Sequence, residues 1–253
     1  MAHVGVWEKG DAHEGLVWCV PPRSRGPSCR DGNRAIRQQQ TLCERDLVCD
    51  VMTQVNGTNG YAEMVERFIE QTEAVDFYEL HRPFFEFIPT VSSRVLDVGA
   101  GVGRDAAALA SMGHNVVAVE PLVDFLAAAK NLHNSPNIDW VSDTLPMLIK
   151  LGDTPNQFHF VLASAVWHHI DDTERRSAMS RISQLLCPGG VFALSLRNGP
   201  AGGGTQVFPT DAHQTIEIAK SFGFETLLNL PNQPSLIKGK KDVLWTKLAF
   251  EQQ

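Results

Sequence analysis

Residues 94–105 read Arg-Val-Leu-Asp-Val-Gly-Ala-Gly-Val-Gly-Arg-Asp. The apolar run Val95-Leu96-Asp97-Val98 stops at Gly99, Gly101 and Gly103, and residues 104–110 are rich in helix formers. This order predicts a buried strand, a glycine loop and a helix start. Glycine leaves the backbone open to a ligand, and a helix start offers unpaired N–H groups with partial positive charge. The stretch therefore reads as a nucleotide-type site, or as a tight strand–helix turn that binds nothing.

The spacing narrows the ligand. A dinucleotide loop follows G-x-G-x-x-G, whose third glycine lets helix and strand pack closely. Here Arg104 holds that third place. A phosphate loop needs G-x-x-x-x-G-K-[S/T], which the stretch lacks. Asp97, just ahead of the glycines, would repel a pyrophosphate and suits a cationic ligand.

Residues 115–119, Asn-Val-Val-Ala-Val, predict a second strand ending at Glu120, 21 positions after Gly99. In doubly wound sheets an acid about 20 residues past the glycines accepts hydrogen bonds from a ribose diol. Glu120 is either that acid or a solvated strand-end carboxylate. A third strand over 138–141 leads into Ser142-Asp143-Thr144-Leu145-Pro146. Asp143 can accept from an adenine amino group with Leu145 against the ring, cap a helix over 144–150, or do both.

With these matches in order, residues 60–253 resemble the class I S-adenosylmethionine-dependent methyltransferases. The first motif of that family corresponds to residues 95–103, its ribose acid to Glu120 and its adenine-side acid to Asp143. The fourth-strand motif corresponds to residues 160–165, where Ala163-Ser164 replaces the Asp or Asn of many members. That departure argues against DNA-amino methyltransferases. Val166-Trp167-His168-His169-Ile170 resembles a stretch common in small-molecule members, and residues 185–192 resemble the junction into the fifth strand. The resemblance implies a Rossmann-like α/β fold: seven strands, mostly parallel, the last antiparallel, with helices on both faces. It implies S-adenosyl-L-methionine as cofactor, held by Asp97, Gly99, Ala100, Gly101, Gly103, Glu120, Pro121, Asp143, Thr144, Leu145 and Ser164.

Further strands are expected at 191–196, 224–230 and 243–250, the last two as an antiparallel pair joined by a polar loop over 231–241. Helices are expected at 104–112 with Gly113 beyond the end, at 122–133, at 210–222, and from a capping box at Asp171 and Glu174. Residues 60–90 carry apolar side chains at helical steps, interrupted by Pro83 and Pro89, and are expected to form a helical lid. Tyr78 and His81 there, with Arg197 and Asn198 at the fifth strand end, are candidates for substrate or lid contacts; the glycines at 202–204 form either a hinge or a plain linker.

Residues 1–59 hold four of the five cysteines but no C-x-x-C pair and no sustained periodicity. Free thiols in a disordered or weakly packed extension are expected, with Met52 as the natural start. A formal charge of −7 gives no general attraction to nucleic acid, and no apolar run is long enough to span a bilayer. A cytoplasmic location is expected. His168 and His169 follow the fourth strand and are candidate general bases, since imidazole titrates near neutrality. Asp171 and Asp172 lack a third carboxylate at the strand ends, so no metal is expected. The favoured reading is methyl transfer to a small molecule; protein or RNA methylation and non-catalytic cofactor binding are the alternatives.

Overall fold

The computed structural model describes residues 58, 60, 61, 64–200 and 207–253. The extension over 1–57, its cysteines and the glycines at 202–204 lie outside the described residues.

Five strands lie parallel: β1 (Arg94–Val98), β2 (Asn115–Val119), β3 (Ile138–Val141), β4 (Phe158–Ala163) and β5 (Leu186–Asn198). β6 (Phe224–Pro234) pairs antiparallel with β7 (Leu244–Gln252), and β7 inserts antiparallel beside β5. The order β3-β2-β1-β4-β5-β7-β6 is the seven-stranded sheet the resemblance implies.

Alternation along the strands divides the core into two layers. Leu96, Val98, Val161, Ala163, Phe192 and Leu194 face one cluster. Val95, Phe160, Leu162, Val191 and Ala193 face the other. Strands covered on both faces need such continuous apolar runs. The first layer is closed by Ala178, Met179 and Ile182 of α5 (Asp172–Leu185) and Ala219 of α6 (Ala212–Ser221). The second is closed by Ala106, Leu109 and Ala110 of α3 (Arg104–Ser111), with Phe77 of α2 (Phe77–His81) and Phe84. Two more helices, α1 (Val65–Glu73) and α4 (Val123–Leu132), lie before α2 and after β2 in the chain.

Local chemistry sets the boundaries. Asp171 accepts from the Glu174 N–H at 2.8 Å while Glu174 accepts from the Asp171 N–H at 2.9 Å, the expected capping box. Gly113 follows α3 at φ +94. Two expectations need correction, while the 60–90 segment is divided as its prolines imply. Residues 144–150 form turns and a 3-10 segment (Ile149–Leu151) instead of a helix, because Asp143 takes the Thr144 and Lys150 N–H groups and folds the loop on itself. The 231–241 loop begins later, since β6 runs on to Pro234 through a register shift between Leu230 and Gln233. The lid is broken into α1, α2 and a 3-10 turn (Arg82–Phe87) carrying Pro83 at its start.

Candidate active site

Strand ends at one edge of the sheet surround a cavity of about 480 Å³. Its floor is the glycine loop. The N–H groups of Gly99 and Ala100 donate to Val119 O at 2.8 and 2.9 Å, which folds the loop across β2. Gly99 has φ +69, and a Cβ there would lie 2.3 Å from Val166 Cγ2. Only glycine satisfies both the conformation and the space.

Glu120 is buried at the tip of β2. Its Oε2 accepts from the Gly101 N–H at 2.8 Å and its Oε1 from the Leu122 N–H at 2.9 Å. Burial pushes its carboxyl up to about 7, although both N–H groups favour the charged form. Each oxygen keeps a second acceptor position. Asp143 fastens its own loop by accepting from the Thr144 N–H at 2.8 Å and the Lys150 N–H at 2.6 Å. Arg181 holds the far side of that loop through the carbonyls of Met147, Leu148 and Gly152.

Of the expected cofactor residues, Gly99, Ala100, Gly101, Glu120, Pro121, Asp143, Thr144, Leu145 and Ser164 line the cavity. Asp97 and Gly103 do not. Asp97 lies buried with Oδ2 unpartnered; burial first, then the Asp105 charge, raise its carboxyl well above the usual range. Gly103 is a packing glycine, because a Cβ there would meet Trp140 at 2.5 Å and His133 at 2.9 Å. These two positions act on the loop's shape and field without touching the cavity.

Aromatic side chains from the 60–90 segment and α4 cover part of the cavity. Tyr61, Phe68 and Phe125 form this roof, with Phe68 stacked on Phe125 at 4.6 Å and Tyr61 edge-on to both. Tyr78 points away, 52% exposed and stacked on Phe85. His81 lines the cavity but is buried in an ion-pair network: its Nε2 lies 2.9 Å from Asp105 Oδ2, and Arg104 Nε lies 2.7 Å from Oδ1. Burial opposes the Asp105 charge, yet His81 and Arg104 hold this carboxyl well below the usual range.

At the tip of β4, Ala165 is held at φ +59, a conformation costing about 1–2 kcal/mol for a non-glycine residue. Its N–H donates to Ser195 Oγ at 2.8 Å. The following 3-10 turn (Trp167–His169) brings His168 and His169 to the cavity with ring centroids 4.2 Å apart. Arg175 anchors the turn through Trp167 O at 3.1 Å and reaches Pro209 O at 2.8 Å. His168 is buried with Nδ1 unpartnered; burial first, then His169, Arg197, Arg175 and Lys240, drive it well below the usual imidazole range. His169 Nε2 lies 3.3 Å from the Tyr61 hydroxyl.

Arg197 lines the cavity, whereas Asn198, the next residue on β5, is exposed outside it by strand alternation. Tyr61, Gln233 and Lys240 also line it, from the 60–88 segment and the 231–241 loop expected to wall the acceptor side, and Trp245 and Lys247 line it from β7, outside any expected site segment. Burial pushes the Lys247 ammonium down to about 8, with Asp105 acting to raise it and Arg104 to lower it. Among the described residues no group of three or more His, Cys, Asp or Glu could hold a metal ion, and no helix is long and apolar enough to cross a membrane. Asp171 caps α5 by accepting from the Glu174 N–H, and Asp172 accepts from Arg175 Nη1.

Residues 95–190 match the family model described as a methyltransferase domain. An uncharacterised methyltransferase of Mycobacterium bovis is 37% identical over 119 residues, covering 44% of this chain; the chain spans 57% of that relative's length. A TehB-like S-adenosylmethionine-dependent methyltransferase of Corynebacterium glutamicum has the same fold with a TM-score of 0.57, at 19% identity over 76% of this chain and 97% of its own. So does a 1,6-didemethyltoxoflavin-N1-methyltransferase of Burkholderia thailandensis, solved with 1,6-didemethyltoxoflavin and S-adenosylhomocysteine, with a TM-score of 0.52, at 16% identity over 92% and 94% of the two chains. Residues 95–190 thus match a methyltransferase domain, and the sheet order gives the chain the fold of the S-adenosylmethionine-dependent methyltransferases named above.

Proposed function

We propose that the protein transfers a methyl group from S-adenosylmethionine to a small-molecule acceptor. The observation that carries this reading is a single roofed cavity joining the glycine loop and Glu120 to the polar ends of β4, β5 and β7. Its volume of about 480 Å³ lies in the range of small-ligand sites, and Tyr61, Phe68 and Phe125 give it an aromatic wall. The Burkholderia enzyme of like fold, with its small heterocyclic ligand, supports the same class.

The residues present fit the donor. Glu120 keeps acceptor positions for a ribose diol, and Leu145 offers an apolar surface beside Asp143. When bound, S-adenosylmethionine supplies an activated sulfonium methyl. The chain then has to align the acceptor, exclude water and receive a proton where the nucleophile carries one. Tyr61, Phe68 and Phe125 exclude water. His168, with Nδ1 unpartnered, is the proton acceptor in this reading once a bound acceptor offsets the burial and positive charges that lower its basicity, and His169 with Tyr61 positions the acceptor.

Turnover across a panel of small metabolites, read as S-adenosylhomocysteine release, tests the function. Release with at least one small acceptor is expected; release only with protein or RNA would replace the reading. For an acceptor that must lose a proton, His168→Ala is expected to lower kcat by about 10²–10⁴-fold, with a smaller effect on KM. Full activity in both His168→Ala and His169→Ala would remove proton transfer from either histidine.

A further inference from the structure

Three neighbouring strands set a row of side chains into the cavity wall opposite the glycine loop. Arg197 on β5 is the cross-strand partner of Trp245 on β7, and Trp245 is the partner of Gln233 on β6. All three line the cavity, joined by Lys240 from the following loop. Arg197 is only 6% exposed. Its hydrogen bond to a described residue runs from Nη1 to Gly199 O, at 3.2 Å. Among the described residues no carboxylate pairs with Arg197 or Lys240 within ion-pair distance.

A buried guanidinium without a counter-charge costs several kcal/mol of desolvation. Of the acids lining the cavity, the Tyr61 phenol acts on Arg197, and the carboxylates do not relieve it. Asp105 is committed to His81 and Arg104, Glu120 and Asp143 accept from backbone N–H groups, and Glu79 is exposed on α2. The field is felt by the neighbours: burial first, then the Arg197 and Arg67 charges, push the Lys240 ammonium down. His168 is depressed by burial first, then by His169, Arg197, Arg175 and Lys240. An anion bound there would offset both effects and let His168 take up a proton more readily.

We propose that the methyl acceptor carries an oxyanion, a carboxylate or a phosphate, that docks on Arg197 and Lys240 beside Trp245. The guanidinium fork suits either group, since both present paired oxygens. This acceptor class rests on the methyltransferase reading.

Calorimetry on the full chain tests the proposal, first with S-adenosylhomocysteine alone and then, on the complex, with benzoate, phenyl phosphate and neutral benzamide. Binding of S-adenosylhomocysteine tests the donor site separately, so a failure there is a failure of the methyltransferase reading. On the complex, benzoate or phenyl phosphate is expected to bind at least about tenfold more tightly than benzamide, a difference well within a charge-assisted contact. The better of the two identifies the oxyanion. Arg197→Gln and Lys240→Gln are each expected to remove most of that preference, and Arg197→Lys to keep part of it, with thermal unfolding confirming folded variants. Equal affinity for benzamide, no binding of either acid at about 10 mM, or an acid preference surviving Lys240→Gln and a folded Arg197→Gln would overturn the proposal.

Discussion

At the glycine-loop end of the cavity the carboxylates Glu120 and Asp143 are tied to backbone N–H groups and Arg104 is paired with Asp105; at the β5–β7–β6 end stand the cations Arg197 and Lys240, with no carboxylate within ion-pair distance among the described residues. The acidic end matches a sulfonium-bearing donor and the basic end an anionic acceptor. A net charge of −7 describes neither end, because burial makes local charge decide binding. The rigidity of the two ends differs as well. The acidic end is stapled by short hydrogen bonds, while the basic end adjoins the loop that carries Lys240.

The largest expected effect breaks the acidic end at its backbone. Gly99→Ala adds a Cβ 2.3 Å from Val166 Cγ2 at φ +69 and should cost about 2–4 kcal/mol of stability in urea unfolding. Gly113→Ala has the same sign of φ but open space around it, so about 1 kcal/mol is expected. Equal losses in the two variants would mean that contact with Val166 does not shape the loop.

Removing the carboxylate comes next. Glu120→Ala should weaken S-adenosylmethionine binding by about 1–3 kcal/mol in calorimetry, the range for hydrogen bonds to a charged group. Lys240→Gln, at the other end, should change that affinity by less than about threefold.

A smaller effect comes from pH. The Glu120 carboxyl is raised to about 7 by burial, above its ordinary value of 4.5. The folded state therefore holds a proton that the unfolded chain releases, and the contribution of Glu120 to stability falls as pH rises from about 4.5 through about 7. Ribose hydroxyls bind the ionised form better, so S-adenosylmethionine affinity should rise a few-fold between about pH 6 and pH 8. Glu120→Gln should flatten that rise; a rise of equal size in the variant would assign it to another group.

The acidic end was legible in the sequence because its chemistry is local. A strand, three glycines and an acid at a fixed distance lie within 27 consecutive residues, 94–120. The sheet order followed from the resemblance, and the capping box and Gly113 from adjacent residues. The basic end was largely hidden. Arg197 was visible at a strand end, but Trp245 and Lys247 join it through β5–β7 pairings some 50 residues apart, and Gln233 through its pairing with Trp245, which periodicity does not reveal. The 60–90 segment misled for a similar reason. Its helical spacing announced packing, and tertiary contacts chose which residues face the cavity, so Tyr61 and Phe68 form the roof while Tyr78 faces solvent.

A crossed titration tests the split between the two ends most directly: S-adenosylmethionine into the free protein and benzoate into its S-adenosylhomocysteine complex, each for wild type, Glu120→Ala and Arg197→Gln. The predicted result is that Glu120→Ala weakens the donor at least about fivefold and leaves benzoate nearly unchanged, while Arg197→Gln does the reverse. Loss of both ligands in one folded variant, or of neither in both, would contradict a cavity divided into an acidic donor end and a basic acceptor end.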